Sequence, residues 1–126
     1  MARLGELERA VMDVLWSAAA PLTARAVAVA LPDRELAQTT VLTVLSRLEK
    51  KGVVRRNRDG RAHTYAAVAT REDHVADLMR EVLGTAPDKT AALVRFVGSA
   101  SPEEAAALHA ALREALYRVE RGRRGL

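Results

Sequence analysis

The stretch QTTVLTVLSRLEKKGVVRRNRDGRAHTYAAV, residues 38–68, decides the fold of this chain. Its first part has apolar residues at helical spacing, which predicts a helix from about Gln38 to Lys51, and Gly52 stands where a left-handed helix cap belongs. Two β-rich runs follow, Val53–Arg56 and His63–Val68, and the Asp-Gly pair between them is typical of a hairpin turn. The stretch therefore predicts a helix followed directly by a β-hairpin.

Two further helices are predicted before this stretch. Residues 4–16 carry apolar side chains at helical spacing, with charged residues between them. Thr23 is a good N-cap for a short helix from Ala24 to about Leu31, which Pro32 ends. Three helices and a hairpin, in this order, are the parts of a winged helix-turn-helix, in which the last helix enters the major groove of DNA.

Three amphipathic helices are predicted after the hairpin. Thr70 with Asp73 resembles a capping box, a short helix spans about Lys89–Val97, and Ser101-Pro102-Glu103-Glu104 is a strong helix start. Three such helices are too few to close a core alone, although some of their apolar residues are expected to pack within one chain. Dimer contacts are therefore predicted at Leu78, Val82, Leu93, Phe96, Leu108, Leu112 and Leu116.

The predicted fold class is mainly α with a small β-hairpin. An N-terminal winged helix-turn-helix, the DNA-binding domain, is predicted at residues 1–69 and a C-terminal helical dimerisation region at residues 70–121. Residues 122–126 are predicted to form a basic, disordered tail.

Positive charge is concentrated around the predicted helix and hairpin. Residues 1–69 carry four more basic than acidic residues, whereas residues 70–126 carry equal numbers. Residues 47–61 alone hold seven basic side chains and two acidic ones. Such a block is expected of a polyanion-binding protein, although a solvated surface face would explain the charge equally well.

A helical wheel separates the two faces of the predicted helix in residues 38–51. Val41, Val44, Leu45 and Leu48 share one face, and small hydroxyl residues and cations gather opposite. Short hydroxyl side chains let a helix approach base edges, and cations contact phosphates. Leu42 lies at the flank, where it either completes the core or touches a thymine methyl group, and the core is the prediction. The predicted DNA-binding residues are Thr39, Thr40, Thr43, Ser46, Arg47, Lys50, Arg58, Arg61 and His63.

Several classes of protein are disfavoured by what the sequence lacks. There is no cysteine, so disulfides and thiolate metal sites are excluded. The histidines are scattered without a carboxylate set that would indicate a metal or a general base, so neither an enzyme nor a cofactor is predicted. No apolar run could span a membrane and no secretion signal is evident, so a cytoplasmic protein without membrane insertion is predicted.

The chain resembles the BlaI/MecI/CopY family of bacterial repressors. The resemblance lies in LGELE at 4–8, VMDVLW at 11–16, TTVLTVLSRLEKKG at 39–52 and RAHTY at 61–65, and it covers about residues 4–117. It implies a homodimer, held by the C-terminal helices, that represses transcription from a palindromic operator on double-stranded DNA. It also implies half-sites of the TACA/TGTA kind and, in the β-lactamase type, control by a membrane sensor protease.

Two departures from the family pattern bear on regulation. Copper-responsive members carry C-terminal cysteines, which this chain lacks, so copper sensing is not expected. Protease-controlled members are cut at an Asn-Phe bond in the short helix of the dimerisation region, and the matching pair here is Arg95-Phe96. The alternative function is a winged-helix adaptor that binds proteins without an operator. A regulator gated by a small ligand is disfavoured, because the few aromatic residues and short helices give no sign of a ligand pocket.

Overall fold

The computed structural model describes residues 4–32 and 36–125, with every side chain in those ranges except that of Asp59. Residues 1–3 and 33–35 of the predicted first domain and Leu126 of the predicted tail lie outside the described residues. The described elements are α1 (Glu6–Ser17), α2 (Ala24–Ala30), α3 (Gln38–Lys50), β1 (Val54–Asp59), β2 (Ala62–Ala67), α4 (Arg71–Leu83), α5 (Lys89–Gly98) and α6 (Pro102–Arg124). The predicted fold class, mainly helical with a small β-hairpin in a winged-helix arrangement, is confirmed.

The first three helices build one apolar core. α1 begins where the backbone amide of Gly5 donates to Glu8 Oε1 at 2.9 Å, and α2 begins where Thr23 Oγ1 accepts from the amide of Ala26 at 3.1 Å. These contacts satisfy backbone amides that have no partner within the helix. The buried side chains of the three helices are Val11, Met12, Leu15, Ala24, Val27, Val41, Val44, Leu45 and Leu48.

α3 ends in the left-handed cap that the sequence predicts. Gly52 has φ +79°, and its amide donates to the carbonyl of Glu49 at 3.0 Å. The amide of Val53 reaches the carbonyl of Leu48 at 3.2 Å, which completes the Schellman pattern of two hydrogen bonds. The chain thereby reverses direction directly after α3 and enters β1.

The hairpin is an antiparallel pair with a two-residue turn at Gly60 and Arg61. Asp59 pairs with Ala62 at the tip and Val54 with Ala67 at the base. Gly60 has φ +65°, and glycines are the only described residues with positive φ, so φ of Arg61 is negative. Positive φ at the first central position alone, with Gly there, is typical of a type II′ turn.

The base of the hairpin is joined to the connection between α1 and α2. Tyr65 donates its amide to the carbonyl of Leu22 at 2.7 Å, and Leu22 returns a bond to the Tyr65 carbonyl at 2.9 Å. The Tyr65 side chain is buried in the core, as are Val53 and Val54. The hairpin is therefore fixed to the helical core at its base, and its tip extends away from these anchors.

The chain forms two compact units, residues 1–81 and residues 82–126, so the division falls within α4 and not before it. Residues 71–81, most of α4, belong to the first unit, in which His74 packs on Trp16 with ring centroids 5.3 Å apart. The indole of Trp16 donates to the carbonyl of Ala69 at 3.1 Å. α4 opens with the predicted capping box, in which Thr70 and Asp73 exchange side-chain and backbone hydrogen bonds of 3.1 and 3.2 Å.

The second unit comprises the end of α4 together with α5 and α6. The carboxylate of Asp88 caps α5, and Ser101 with Glu104 forms the predicted capping box of α6. Neither α5 nor α6 buries a residue. α6 continues through Arg124, so the segment predicted as a disordered tail is helical to that residue.

Candidate nucleic-acid interface

The face of α3 opposite the core is exposed along its whole length. Val41, Val44, Leu45 and Leu48 are at most 3 % exposed and hold the helix against α1 and α2. The opposite face carries the hydroxyl residues toward its N-terminal half and the cations toward its C-terminal half. The exposed residues are Thr39, Thr40, Thr43, Ser46, Arg47 and Lys50, which are the six predicted DNA-binding residues of this helix.

The three DNA-binding residues predicted in the hairpin are exposed at its outer end. Arg58 and His63 lie directly opposite each other in the strand register, so they share one face of the hairpin. Arg61 is in the turn. The Nε of Arg58 donates to the carbonyl of Gly60 at 3.3 Å, a surface bond that leaves most of the guanidinium open to solvent. The tip therefore presents a cluster of cationic and imidazole side chains.

Some basic side chains of residues 47–61 form ion pairs within the described part of the chain, and the predicted DNA-binding cations do not. Lys51 Nζ lies 2.8 Å from Glu8 Oε1, and Arg56 Nε lies 3.7 Å from Glu49 Oε2. These pairs tie α3 to α1 and to β1. None of the ion pairs among the described residues uses the predicted DNA-binding cations, namely Arg47, Lys50, Arg58 and Arg61.

Glu8 is held in its charged form by the end of α3. The hydrogen bond from Lys51, followed by the one from the Gly5 amide, keeps the pKa of the Glu8 carboxyl below its ordinary value of 4.5. The Glu8 side chain is only 12 % exposed, so this pair is less screened than a fully solvated one. It fixes the C-terminal end of α3 against the start of α1.

Two residues of α3 differ from what the sequence suggests. The hydroxyl of Thr43 donates to the carbonyl of Thr39 at 3.0 Å, so its hydrogen is engaged within the helix. Leu42, predicted to complete the core, is instead 40 % exposed. The prediction for Leu42 was wrong because the core is filled by its neighbours, and the flank of the helix is left uncovered.

Six of the seven predicted dimerisation residues belong to the second unit, and Leu78 belongs to the first. Val82, Leu93, Phe96, Leu112 and Leu116 are between 47 % and 66 % exposed, while Leu78 and Leu108 are half-buried. Several large apolar neighbours are exposed as well, namely Met79, Val94, Val97, Tyr117 and Val119. Arg95 is exposed beside Phe96 in α5, so both residues of the predicted cleavage pair lie on the surface.

The histidines do not gather into a site. His63 is on the hairpin, and His74 is 3 % exposed against Trp16. Within the ranges that the structure describes, no group of three or more histidine, aspartate or glutamate residues could hold a metal ion. In those same ranges, no helix is long and apolar enough to cross a membrane.

Comparison with known proteins finds matches over most of the chain. The sequence model of the penicillinase repressor family matches residues 4–114. The chain is 55 % identical over 89 residues to the transcriptional regulator BlaI of Mycobacterium tuberculosis, in strains CDC 1551/Oshkosh and ATCC 25618/H37Rv. That alignment covers 70 % of this chain and 64 % of the length of these relatives.

Two solved structures share the fold. The chain of the hsRosR-S1 complex superposes with a TM-score of 0.51 at 22 % identity, over 83 % of this chain and 95 % of that one. The chain of the hsRosR-S4 complex gives a TM-score of 0.50 at 22 % identity, over 83 % and 92 %. At this level of identity the likeness extends to the fold alone.

Proposed function

Because the chain belongs to the penicillinase repressor family, we propose that it is a transcriptional repressor that binds double-stranded DNA in a sequence-specific manner. The observation that carries this proposal is the outer face of α3. Six polar or cationic residues are exposed there beside a hairpin whose tip is cationic. In winged helix-turn-helix proteins, the recognition helix turns a face of this kind toward the major groove of DNA, and the adjacent hairpin contacts the DNA backbone or the minor groove.

Base contacts and phosphate contacts are made by different parts of α3. Thr39, Thr40, Thr43 and Ser46 are short enough to bring the helix close to base edges. Arg47 and Lys50, nearer the C-terminal end, reach the phosphates that flank the groove. Arg58, Arg61 and His63 extend the contact from the hairpin tip. Phosphate contacts fix the position of the helix, and base contacts determine the sequence that it reads.

A homodimer on a palindromic operator is the second part of the proposal. α5 and α6 bury no residue, and their exposed apolar side chains include Leu93, Phe96, Leu112 and Leu116. Large apolar side chains left exposed in this number on two helices are expected to be covered at an interface between proteins. A two-fold dimer would place two α3 helices on successive major grooves, so the operator would share the two-fold symmetry.

Control by proteolysis is the third part and rests on the family pattern. A membrane sensor protease would inactivate the repressor by cutting α5 at or near the bond between Arg95 and Phe96. In the single chain both side chains are exposed, with Phe96 51 % exposed. Because Phe96 is also a proposed dimer contact, the cut would require the dimer to open at α5. α5 must unwind locally for the cut. A cytoplasmic location is part of the same proposal, since the protein must reach chromosomal DNA.

Nuclease footprinting of the purified chain on the DNA upstream of its own gene tests the proposal. We expect a symmetric protected site that is bound about a thousandfold more tightly than random DNA of the same length. A chain that protects no site beyond its binding to random DNA would overturn the proposal. That result would favour the alternative, a winged-helix adaptor that binds proteins and for which the basic residues of α3 and the hairpin are dispensable.

A further inference from the structure

Leu42 is the exposed apolar residue of α3. The other leucines and valines of the helix are at most 3 % exposed, whereas Leu42 is 40 % exposed. It belongs neither to the buried core nor to the partly buried residues packed against that core. The fold therefore gives no reason for a large apolar side chain at this position.

The position of Leu42 places it at the edge of the outer face of α3. At about 100° per residue, Leu42 lies about 40° around the helix from Ser46 and about 60° from Thr39. Glu49, about 20° from Leu42 in the opposite direction, pairs with Arg56 of β1 at 3.7 Å. Leu42 thus lies on the side of the outer face that is next to the hairpin.

Thr43, about 100° around the helix from Leu42 and near the middle of the outer face, has lost part of its hydrogen-bonding capacity. The Thr43 hydroxyl donates to the carbonyl of Thr39, so it offers an incoming base an acceptor oxygen and a methyl group but no donor. The face is therefore more apolar than its composition suggests. The major groove has one matching apolar feature, the C5-methyl group of thymine.

We propose that Leu42 is a specificity-determining residue that contacts the C5-methyl group of a thymine in each half-site. This inference rests on the proposed function, because it requires α3 to lie in the major groove. Single leucines are often exposed on protein surfaces. This one differs because it lies between the hydroxyl residues of the outer face and the hairpin, where a DNA duplex would cover it.

The test combines a protein variant with a modified DNA base. A duplex is first selected from a random pool by the unaltered full chain. Each thymine is then replaced in turn by deoxyuridine, which lacks only the methyl group. Binding of the unaltered chain, of Leu42→Ala and of the control Val68→Ala is measured by titration. Val68 is 52 % exposed after β2 and lies outside the outer face of α3, so it controls for loss of exposed apolar surface.

At one thymine in each half-site, we expect uracil to weaken binding of the unaltered chain and of Val68→Ala by about fourfold per methyl group. Leu42→Ala removes the contact in both half-sites, so we expect it to bind the thymine duplex about as weakly as the unaltered chain binds a duplex with uracil at both positions. It should lose nothing further on uracil. Thermal unfolding of Leu42→Ala should match that of the unaltered chain, since alanine is at least as good a helix former as leucine.

Two different failures are distinguishable. If the unaltered chain selects a duplex but Leu42→Ala keeps the full uracil penalty at every thymine, the role of Leu42 is wrong and the repressor function stands. The same holds if uracil weakens binding nowhere. If the unaltered chain enriches no sequence at all, then the proposed function fails and the role of Leu42 fails with it.

Discussion

Replacing Arg58 and Arg61 together with alanine tests the contribution of the hairpin tip to DNA binding. Both residues are exposed, and Arg58 would lose one surface bond of 3.3 Å to the Gly60 carbonyl. Folding stability should therefore change by less than about 0.5 kcal/mol. DNA binding should weaken on all sequences, since contacts with phosphate carry no sequence information.

The size of the effect follows from counterion release. Each phosphate contact contributes about −0.9 to the slope of log affinity against log salt concentration. A dimer carries two hairpins, so four arginines in contact with phosphate contribute about 3.6 units to the slope. Between about 50 and about 200 mM salt, the affinity ratio of the unaltered chain to the variant then falls by about 150-fold.

Fluorescence anisotropy titrations at several salt concentrations, on operator and on random DNA, measure this slope. The control variant Arg123→Ala with Arg124→Ala removes the same charge from the end of α6 and should leave the slope unchanged. A hairpin variant whose slope matches that of the unaltered chain would refute the phosphate role of the tip. Equal flattening by both variants would instead indicate a general effect of net charge.

Three further predictions concern separate parts of the chain. Thr43→Ala should weaken binding to the operator more than to random DNA in parallel titrations, because base contacts carry the specificity; equal losses would contradict a reading role. Leu112→Asp should give a monomer with poor operator binding, because it places a charge on an exposed apolar helix face; a sedimentation profile that stays dimeric would remove α6 from the interface. Glu8→Gln should lower the free energy of unfolding at neutral pH, where the charged carboxylate accepts from Lys51. Denaturant titrations should show this loss of stability vanish as the pH falls below 4.5 and through the lowered pKa of Glu8. A loss of stability that persists at low pH would argue against the charged pair.

Local sequence signals predicted α3 and its connection to the hairpin well. The helix ends one residue before the predicted boundary, and Gly52 has the left-handed conformation that its position requires. The strands run closer to the tip than predicted, to Asp59 and from Ala62, because ladder hydrogen bonds are made by the backbone and need no β-forming side chains. Each of these features is determined by residues that are close together in the sequence, so one amino-acid sequence is sufficient to predict it.

Features that join distant segments were not predicted. The pairing of Leu22 with Tyr65 uses backbone atoms alone, and the pairing of Glu8 with Lys51 joins α1 to the end of α3. Leu42 shows a different limit. A helical wheel gives the direction of a side chain, but the width of the buried face depends on which elements pack against the helix.

The end of α6 was also longer than predicted. Gly122 does not stop the helix, since a glycine in a helix costs only about 1 kcal/mol relative to alanine. Glu120 and Arg124 are four residues apart in the order that favours a helix. The preceding turns of α6 continue through this segment because helix propagation needs no new nucleus.

The two backbone hydrogen bonds between Leu22 and Tyr65 have a consequence for amide hydrogen exchange. They close a loop that contains α2, α3 and β1. Their amide protons exchange with solvent only when the hairpin separates from the α1–α2 connection, and the buried Tyr65 side chain resists that separation. Exchange at both amides should therefore report global opening of residues 1–81, while amides at the hairpin tip exchange through small local openings. The outer face of α3 is thus held in a segment that opens as a whole, whereas the arginines of the tip lie on a part that can open separately.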